Sequence, residues 1–294
     1  MEDKGVELEL GYNQRIGQVN LSVKGNISHI TNQITNLGIQ NKYFVGANFQ
    51  ASGYEISRVA DGHPMDAFYG FKTEGIFQTQ AQINNYVNKG GQLIQPNAKP
   101  GDFKYADLDG DGAITQADRT YIGNPLPDWT FGFNINAAYK NFDVVLFAQG
   151  VAGNQIFQGY RRLDITAANY MSTALDRWTG PGTSNNYPRL VDGDPNGNFS
   201  NPTSFYLQNG SYLKLKTLQL GYTLPHNLTS HIGFTKIRIY VSGNNLITLT
   251  KYNGFDPEIG GSQGIGTGNA NQYGVDNGIY PQARSFLVGL NVGF

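Results

Sequence analysis

The chain has 294 residues, a formal net charge of −1 and no cysteine, which excludes a disulfide framework, a thiolate zinc site and a cysteine nucleophile. Charged residues make up 15% and glycine occupies 38 positions, where an average soluble domain has roughly 25% charged residues and about 7% glycine. No run of Lys and Arg marks a nucleic-acid footprint, and the glycine, 18 Tyr and 17 Phe point to an all-β chain with many turns rather than a helical enzyme.

In chain order, nine strands are expected, at about 5–13, 17–30, 52–60, 66–77, 128–140, 142–150, 212–224, 235–249 and 284–294. The opening Met1-Glu2-Asp3-Lys4-Gly5 is not a basic segment leading into an apolar one, so no secretion signal is expected there. No stretch approaches the ~18 consecutive apolar residues of a membrane helix. The negative mean hydropathy of −0.38 does not exclude a membrane strand, in which only alternate residues face lipid.

The strand at 128–140 carries the clearest alternation. One face reads Trp129, Phe131, Phe133, Ile135, Ala137, Tyr139, and the other Thr130, Gly132, Asn134, Asn136, Ala138, Lys140. One face is greasy and the other small or polar. The length reaches the ~9–11 residues that a tilted strand needs to cross a bilayer. Trp129 and Tyr139 sit at opposite ends of the stripe, where two aromatic girdles would lie.

In Tyr212 to Tyr222 the apolar set shifts from odd to even positions near Lys216. A soluble sheet would need a bulge there. In a membrane wall the first part can instead project above the bilayer, with Lys214 and Lys216 facing water and Leu218, Leu220 and Tyr222 facing lipid. At the chain end, Phe286, Val288, Leu290, Val292 and Phe294 share one face, and Leu287, Gly289, Asn291 and Gly293 the other.

Short connections near Gln14-Arg15, Asp61 to Pro64, Asn141 and Pro225 to Phe234 alternate with long ones over roughly 31–51, 78–127, 151–211 and 250–283. Such alternation is the habit of outer-membrane barrels. With that polarity the last strand runs downward, Phe294 lies at the periplasmic face and the long loops are extracellular.

One long connection holds Asp107-Leu108-Asp109-Gly110-Asp111-Gly112-Ala113, followed by Asp118, which fits a calcium loop. Asp107, Asp109 and Asp111 fill positions 1, 3 and 5, Gly112 the turn, Ala113 the backbone carbonyl at 7 and Asp118 position 12. A hard cation needs such a cage of oxygens; Asp118 stands where Glu is usual and reaches less far. The plain alternative is a solvated Asp/Gly turn. Either way the loop is expected to stiffen rather than to catalyse.

Other features are weaker. His29, His63, His226 and His231 are scattered, and Gly264 to Gly268 lacks the strand–helix context of a phosphate loop. Asp192 and Asp194 lie in a Gly/Pro/Asn setting that argues against a hydrolytic pair. Phe157, Tyr160, Arg161, Trp178 and Tyr206 could stack a sugar or peptide, but local packing explains each singly.

Several segments occur in a fixed order: Ala67-Phe68-Tyr69-Gly70-Phe71-Lys72-Thr73-Glu74-Gly75-Ile76-Phe77, Pro100-Gly101-Asp102-Phe103-Lys104-Tyr105, the Asp107 to Gly112 run and Ile122-Gly123-Asn124-Pro125-Leu126-Pro127-Asp128-Trp129. Phe142 to Gly150, Arg177-Trp178-Thr179, Tyr187-Pro188-Arg189, Ser211 to Leu224 and the terminal Phe294 continue it. As an ordered set covering nearly the whole chain they resemble the SusC/RagA family of TonB-dependent outer-membrane transporters. The resemblance implies that residues 1–294 form the C-terminal strands of a 22-stranded transmembrane β-barrel, with plug domain, TonB box and signal peptide absent. It implies import of oligosaccharides or peptides without catalysis or an obligate cofactor, a structural Ca2+ in the Asp-rich loop being the candidate ion. The implied partners are a SusD-like surface lipoprotein, the TonB complex acting through the missing N-terminal part, the barrel-assembly machinery (with Phe294 as its signal) and membrane lipid, with no nucleic acid. The alternatives are a soluble extracellular β-rich binding module with a calcium-stiffened loop, which must cover the greasy stripe with protein, and a glycan-cleaving enzyme, which needs a convergent carboxylate pair.

Overall fold

Period-two alternation builds one long antiparallel sheet. The structure is a computed structural model that describes residues 1–40, 42–49, 52–160, 169–259 and 272–294. Seven strands form the sheet, β1 (Glu2–Ile16), β2 (Val19–Gln33), β3 (Trp129–Tyr139), β4 (Phe142–Ala152), β5 (Tyr212–Thr223), β6 (Lys236–Thr250) and β7 (Ser285–Gly293). They pair in sequence order, each with the next, leaving β1 and β7 as edges. Their lengths run from 9 to 15 residues, at or beyond what a bilayer crossing requires.

At one end of the sheet the connections are short. Ile16 pairs with Val19 around Gly17-Gln18, so the first turn lies beyond the expected Gln14-Arg15. Gly17 has φ +61, as the first position of a tight primed hairpin turn demands. Tyr139 pairs with Phe142 across a second two-residue turn. A four-residue helix (His226–Thr229) and a 3₁₀ turn (Ser230–Ile232) make the third. All the long connections leave from the opposite end.

Register fixes the faces. Leu213, Leu215, Leu218, Leu220 and Tyr222 of β5 stand opposite Gly150, Ala148, Leu146, Val144 and Phe142 of β4. Those β4 residues in turn face Phe131, Phe133, Ile135, Ala137 and Tyr139 of β3. The row continues through Ile239, Val241, Ile247 and Leu249 of β6 to Phe286, Val288 and Leu290 of β7, and through Val23 and Ile27 of β2 to Tyr12 and Leu8 of β1. One apolar face thus runs unbroken across the sheet.

That continuity corrects the reading of β5. Pairing slips between Leu215 and Thr217 on one side and between Phe147 and Ala148 on the other, a bulge at Lys216. The extra residue keeps Leu213 and Leu215 on the same face as Leu218 and Leu220. The start of β5 stays in the wall, and Lys214, only 1% exposed, does not face water.

The expected strands at 52–60 and 66–77 do not join this sheet. Ser57–Ala60 and Ala67–Phe71 instead pair with each other and with Tyr43–Val45 and Arg119–Gly123 in a separate four-stranded sheet, while Thr73–Ile76 pairs with Phe103–Tyr105. Ala67, Phe68, Gly70 and Phe71 are buried, so both faces are covered, unlike a wall strand. A third small sheet joins Gln155–Gln158, Leu207–Asn209 and Val275–Asp276, the last pair parallel.

These small sheets share a core. Phe49, Ile56 and Phe68 from the first long connection pack with Phe157 and Tyr206 from the second and Val275 from the third. Phe71, Ile76, Phe103 and Tyr105 form a second cluster, with Trp178 and Phe205 against it. Among the described residues, every fully buried hydrophobic side chain lies in the connections and none in the seven wall strands.

Candidate functional site

Burial is inverted relative to a soluble fold. The connections hide their apolar side chains while the wall displays its own: Val288 is 79% exposed, Phe286 76% and Leu290 62%. Water makes bare apolar area costly, at about 25 cal/mol per Å². A continuous face of this size therefore calls for an apolar surrounding. Rings mark its two ends. His29 and Trp129 meet at 4.5 Å on the loop side, and Phe142 and Tyr222 at 4.7 Å on the turn side. The terminal Phe294 packs on Phe234 at 5.4 Å and accepts a 3.3 Å hydrogen bond from Thr235 Oγ1 to its carbonyl.

The other face is polar. Arg238 Nε donates to Asp143 Oδ1 at 2.9 Å, the guanidinium making a second bond to Oδ2. Gly221 lies beneath this pair, where a Cβ would come within 2.4 Å of the guanidinium. At the loop end, Lys214 Nζ donates to Asp256 and to Glu258, the latter at 2.8 Å, and Lys216 Nζ reaches Glu258 at 3.0 Å. Gln149 adds a 3.1 Å bond to Glu258. Burial pushes both carboxyls up, but the lysine hydrogen bonds outweigh it and hold Asp256 and Glu258 below the usual carboxylate range. The β6–β7 connection is thereby strapped against β4 and β5.

A cavity of about 950 Å³ opens between the first and second long connections. Phe103, Phe205 and Tyr206 form an aromatic floor, with Phe205 5.5 Å from Phe103 and 5.1 Å from Tyr206. Asn185, Asn186, Gln208 and Thr173 stand around it. Of the aromatics weighed from sequence, Tyr160 and Tyr206 line this cavity. Phe157 is fully buried in the shared core, Trp178 packs on the second cluster and donates to Gln78 Oε1 at 3.0 Å, and Arg161 lies outside the described residues, as do Gly264 to Gly268.

In the Asp-rich loop, carboxylate oxygens of Asp107, Asp109 and Asp118 converge within 4.8 Å of one another, an all-oxygen donor set of the kind a hard cation takes. Asp111 is not part of the cluster; its Oδ1 accepts the Ala113 N–H at 2.9 Å. Asp118 is fully buried and accepts from Leu108 N and Thr115 N, each at 2.7 Å. Asp107 likewise accepts from Gly110 N and Gly112 N. The loop shape is thus held by backbone donors on three carboxylates. Asp194, weighed as half of a hydrolytic pair, spends one oxygen on the Phe199 and Ser200 amides, at 3.0 and 2.8 Å.

No family profile matches the chain. It is 34% identical to the TonB-dependent receptor P3 of Formosa agariphila and 30% identical to the receptor P26 of that organism, in each case over 100% of this chain and 29% of the relative. It is 24% identical to the TonB-dependent receptor SusC of Bacteroides thetaiotaomicron, over 92% of this chain and 24% of that protein. The chain therefore spans less than a third of the length of these relatives. Its fold matches a chain of the RagAB peptide importer in the closed-closed state with a TM-score of 0.71 and 22% identity, over 99% of this chain and 29% of that one.

Proposed function

The chain belongs to the TonB-dependent receptors of the SusC/RagA type, and on that premise we propose that it forms the C-terminal wall of an outer-membrane barrel importing large nutrients, oligosaccharides or peptides. In this reading the long connections are extracellular and lie under a SusD-like surface lipoprotein, and Phe294 ends the chain at the periplasmic face. The TonB complex supplies the energy through the rest of the receptor. The chain itself contributes wall, cap and lumen surface and no catalytic step.

The observation that carries this reading is the bare apolar face across seven strands, set beside a cap that buries its own core. A soluble binding module would have to cover that face with protein. The absence of cysteine allows a direct test. In outer membranes, a single cysteine replacing Leu290 should resist a water-soluble maleimide, and a bimane attached there in proteoliposomes should be quenched by brominated lipid. One replacing Asn291, on the opposite face, should not be quenched. Recovery of the protein only in the soluble fraction, with the Leu290→Cys thiol freely labelled, would sink the proposal.

The Asp107, Asp109 and Asp118 cluster supports a second, smaller proposal: that a divalent cation such as Ca2+ is held there as a stiffener of the cap. Three converging carboxylates leave several positions for carbonyl and water oxygens, as the six to eight ligands of Ca2+ require.

A further inference from the structure

The importer reading leaves open what the cavity between the first and second long connections would hold. We propose that it binds an uncharged oligosaccharide, the aromatic floor taking the C–H faces of the sugar and the amide rim its hydroxyls. This rests on the importer reading and names the ligand class of its cap.

Three observations carry it. The first is charge. Glu74 and Asp176 are the only charged residues lining the cavity, and Glu74 is paired with Lys104 at 2.8 Å. No lining cation waits for a carboxylate, a sulfate or a peptide C-terminus, and burying an unpaired anion is costly.

The second is the type of polar group. Asn186 and Gln208 each offer donors and acceptors together, which suits a hydroxyl that must both give and take a hydrogen bond. Beside them lies a flat apolar floor, Tyr187 meeting Phe205 edge-on at 5.2 Å. A few placed polar groups over an aromatic surface are the usual anatomy of a ligand pocket.

The third concerns main-chain pairing. An extended peptide is normally captured by adding a strand to a free sheet edge. The strand lining this cavity, Thr73–Ile76, is paired on one side with Phe103–Tyr105. On the other side its Ile76 N–H donates to Asn185 Oδ1 at 3.3 Å and Thr73 Oγ1 contacts Ser204 Oγ at 3.1 Å. The edge a peptide would use is already covered by side chains.

The test is calorimetric titration of the detergent-solubilised protein with maltohexaose, laminarihexaose and xylohexaose. Hexagalacturonate and an uncapped alanine hexapeptide serve as charged comparators. At least one neutral hexasaccharide should bind, with the comparators at least tenfold weaker. Binding should fall at least tenfold in Asn186→Ala/Gln208→Ala, and again in Thr173→Trp, which fills the cavity without removing a rim amide. Both variants should keep the parent melting temperature. If none of the neutral sugars binds, if a charged comparator binds best, or if both variants bind as the parent does, the proposal is wrong. Its failure is separable from that of the importer reading, which is decided by membrane location and lipid exposure of Leu290.

Discussion

Lys214 and Glu258 lie 44 residues apart in sequence and meet at 2.8 Å. The lysine side chain is 2% exposed and Glu258 23%, so the ammonium has left water and depends on its two carboxylates. The pair places the connection after β6 across the polar face of β5. Removing one member strands the other, the situation in which a buried ion pair matters most.

Lys214→Met should therefore free the 251–259 segment while leaving the wall paired. We expect a loss of about 3–5 kcal/mol of local stability, seen as faster hydrogen exchange and protease nicking in 251–259. Unchanged protection there would show that apolar packing of Tyr252 and Ile259, not the strap, holds the connection.

Acid should act on the same strap. Asp256 and Glu258 titrate below the usual carboxylate range when folded. Their contribution is full above the unfolded carboxylate value near 4 and is lost as pH falls through the folded value. Hydrogen exchange of 251–259 should be unchanged from pH 7 to 5 and rise only toward pH 3. A rise already between pH 7 and 5 would contradict this assignment.

Asp66 should behave in the opposite sense. It is 1% exposed, its Oδ1 has no hydrogen-bond partner, and burial pushes its carboxyl up to about 6. The folded state binds the proton more tightly than the unfolded one, so stability falls as pH rises from about 4 to 6 and is then flat. Asp66→Asn should gain about 2–3 kcal/mol at pH 7 and nothing at pH 4. Asparagine also tolerates the positive φ of 56 at this position. An equal effect at both pH values would rule out the buried charge as its source.

In the Asp-rich loop, terbium luminescence should appear on titration of the parent, be reversed by Ca2+ and be lost in Asp109→Asn. Asp118→Asn should destabilise the cap by about 1–3 kcal/mol even in a chelator, because it strips backbone N–H groups of their acceptor. Luminescence surviving in both variants would refute the ion site.

Deleting Phe294 should lower the amount of protein recovered in the outer membrane several-fold without changing the cap's ligand affinity, read by immunoblot of membrane fractions. Equal recovery would mean that the ring only packs on Phe234.

The wall was legible from sequence because its signal is local. Trp129 to Tyr139 and Phe286 to Val292 alternate strictly, and lipid on one side with polar groups on the other leaves nothing to blur the period. The segment Ala67–Phe71 was misassigned to the wall for the same reason. Five residues of a small sheet buried on both faces look, over so short a window, like a piece of wall. Lys214 and Lys216 read as solvent-facing because their partners arrive some 40 residues later, beyond any local pattern. Likewise the cavity draws Thr73, Phe103, Asn186 and Gln208 from segments whose spacing carries no shared period, and only Tyr160 and Tyr206 stood out beforehand.

The buried core of the connections bears on how the wall is made. The 95-residue excursion from β2 to β3 begins and ends on paired strands, closed at its base by Ile30 N donating to Asp128 O at 3.0 Å. The excursion from β4 to β5 is closed by Gly210 N donating to Asn154 O, also at 3.0 Å. A floppy chain of that length would set a heavy entropic toll on bringing its ends together. Once collapsed around Phe68, Phe157 and Tyr206, each excursion acts as a rigid corner brace that presents two strands already side by side. Damage to those three rings would then surface as a failure of barrel biogenesis, in a region that by position alone belongs to the cell exterior.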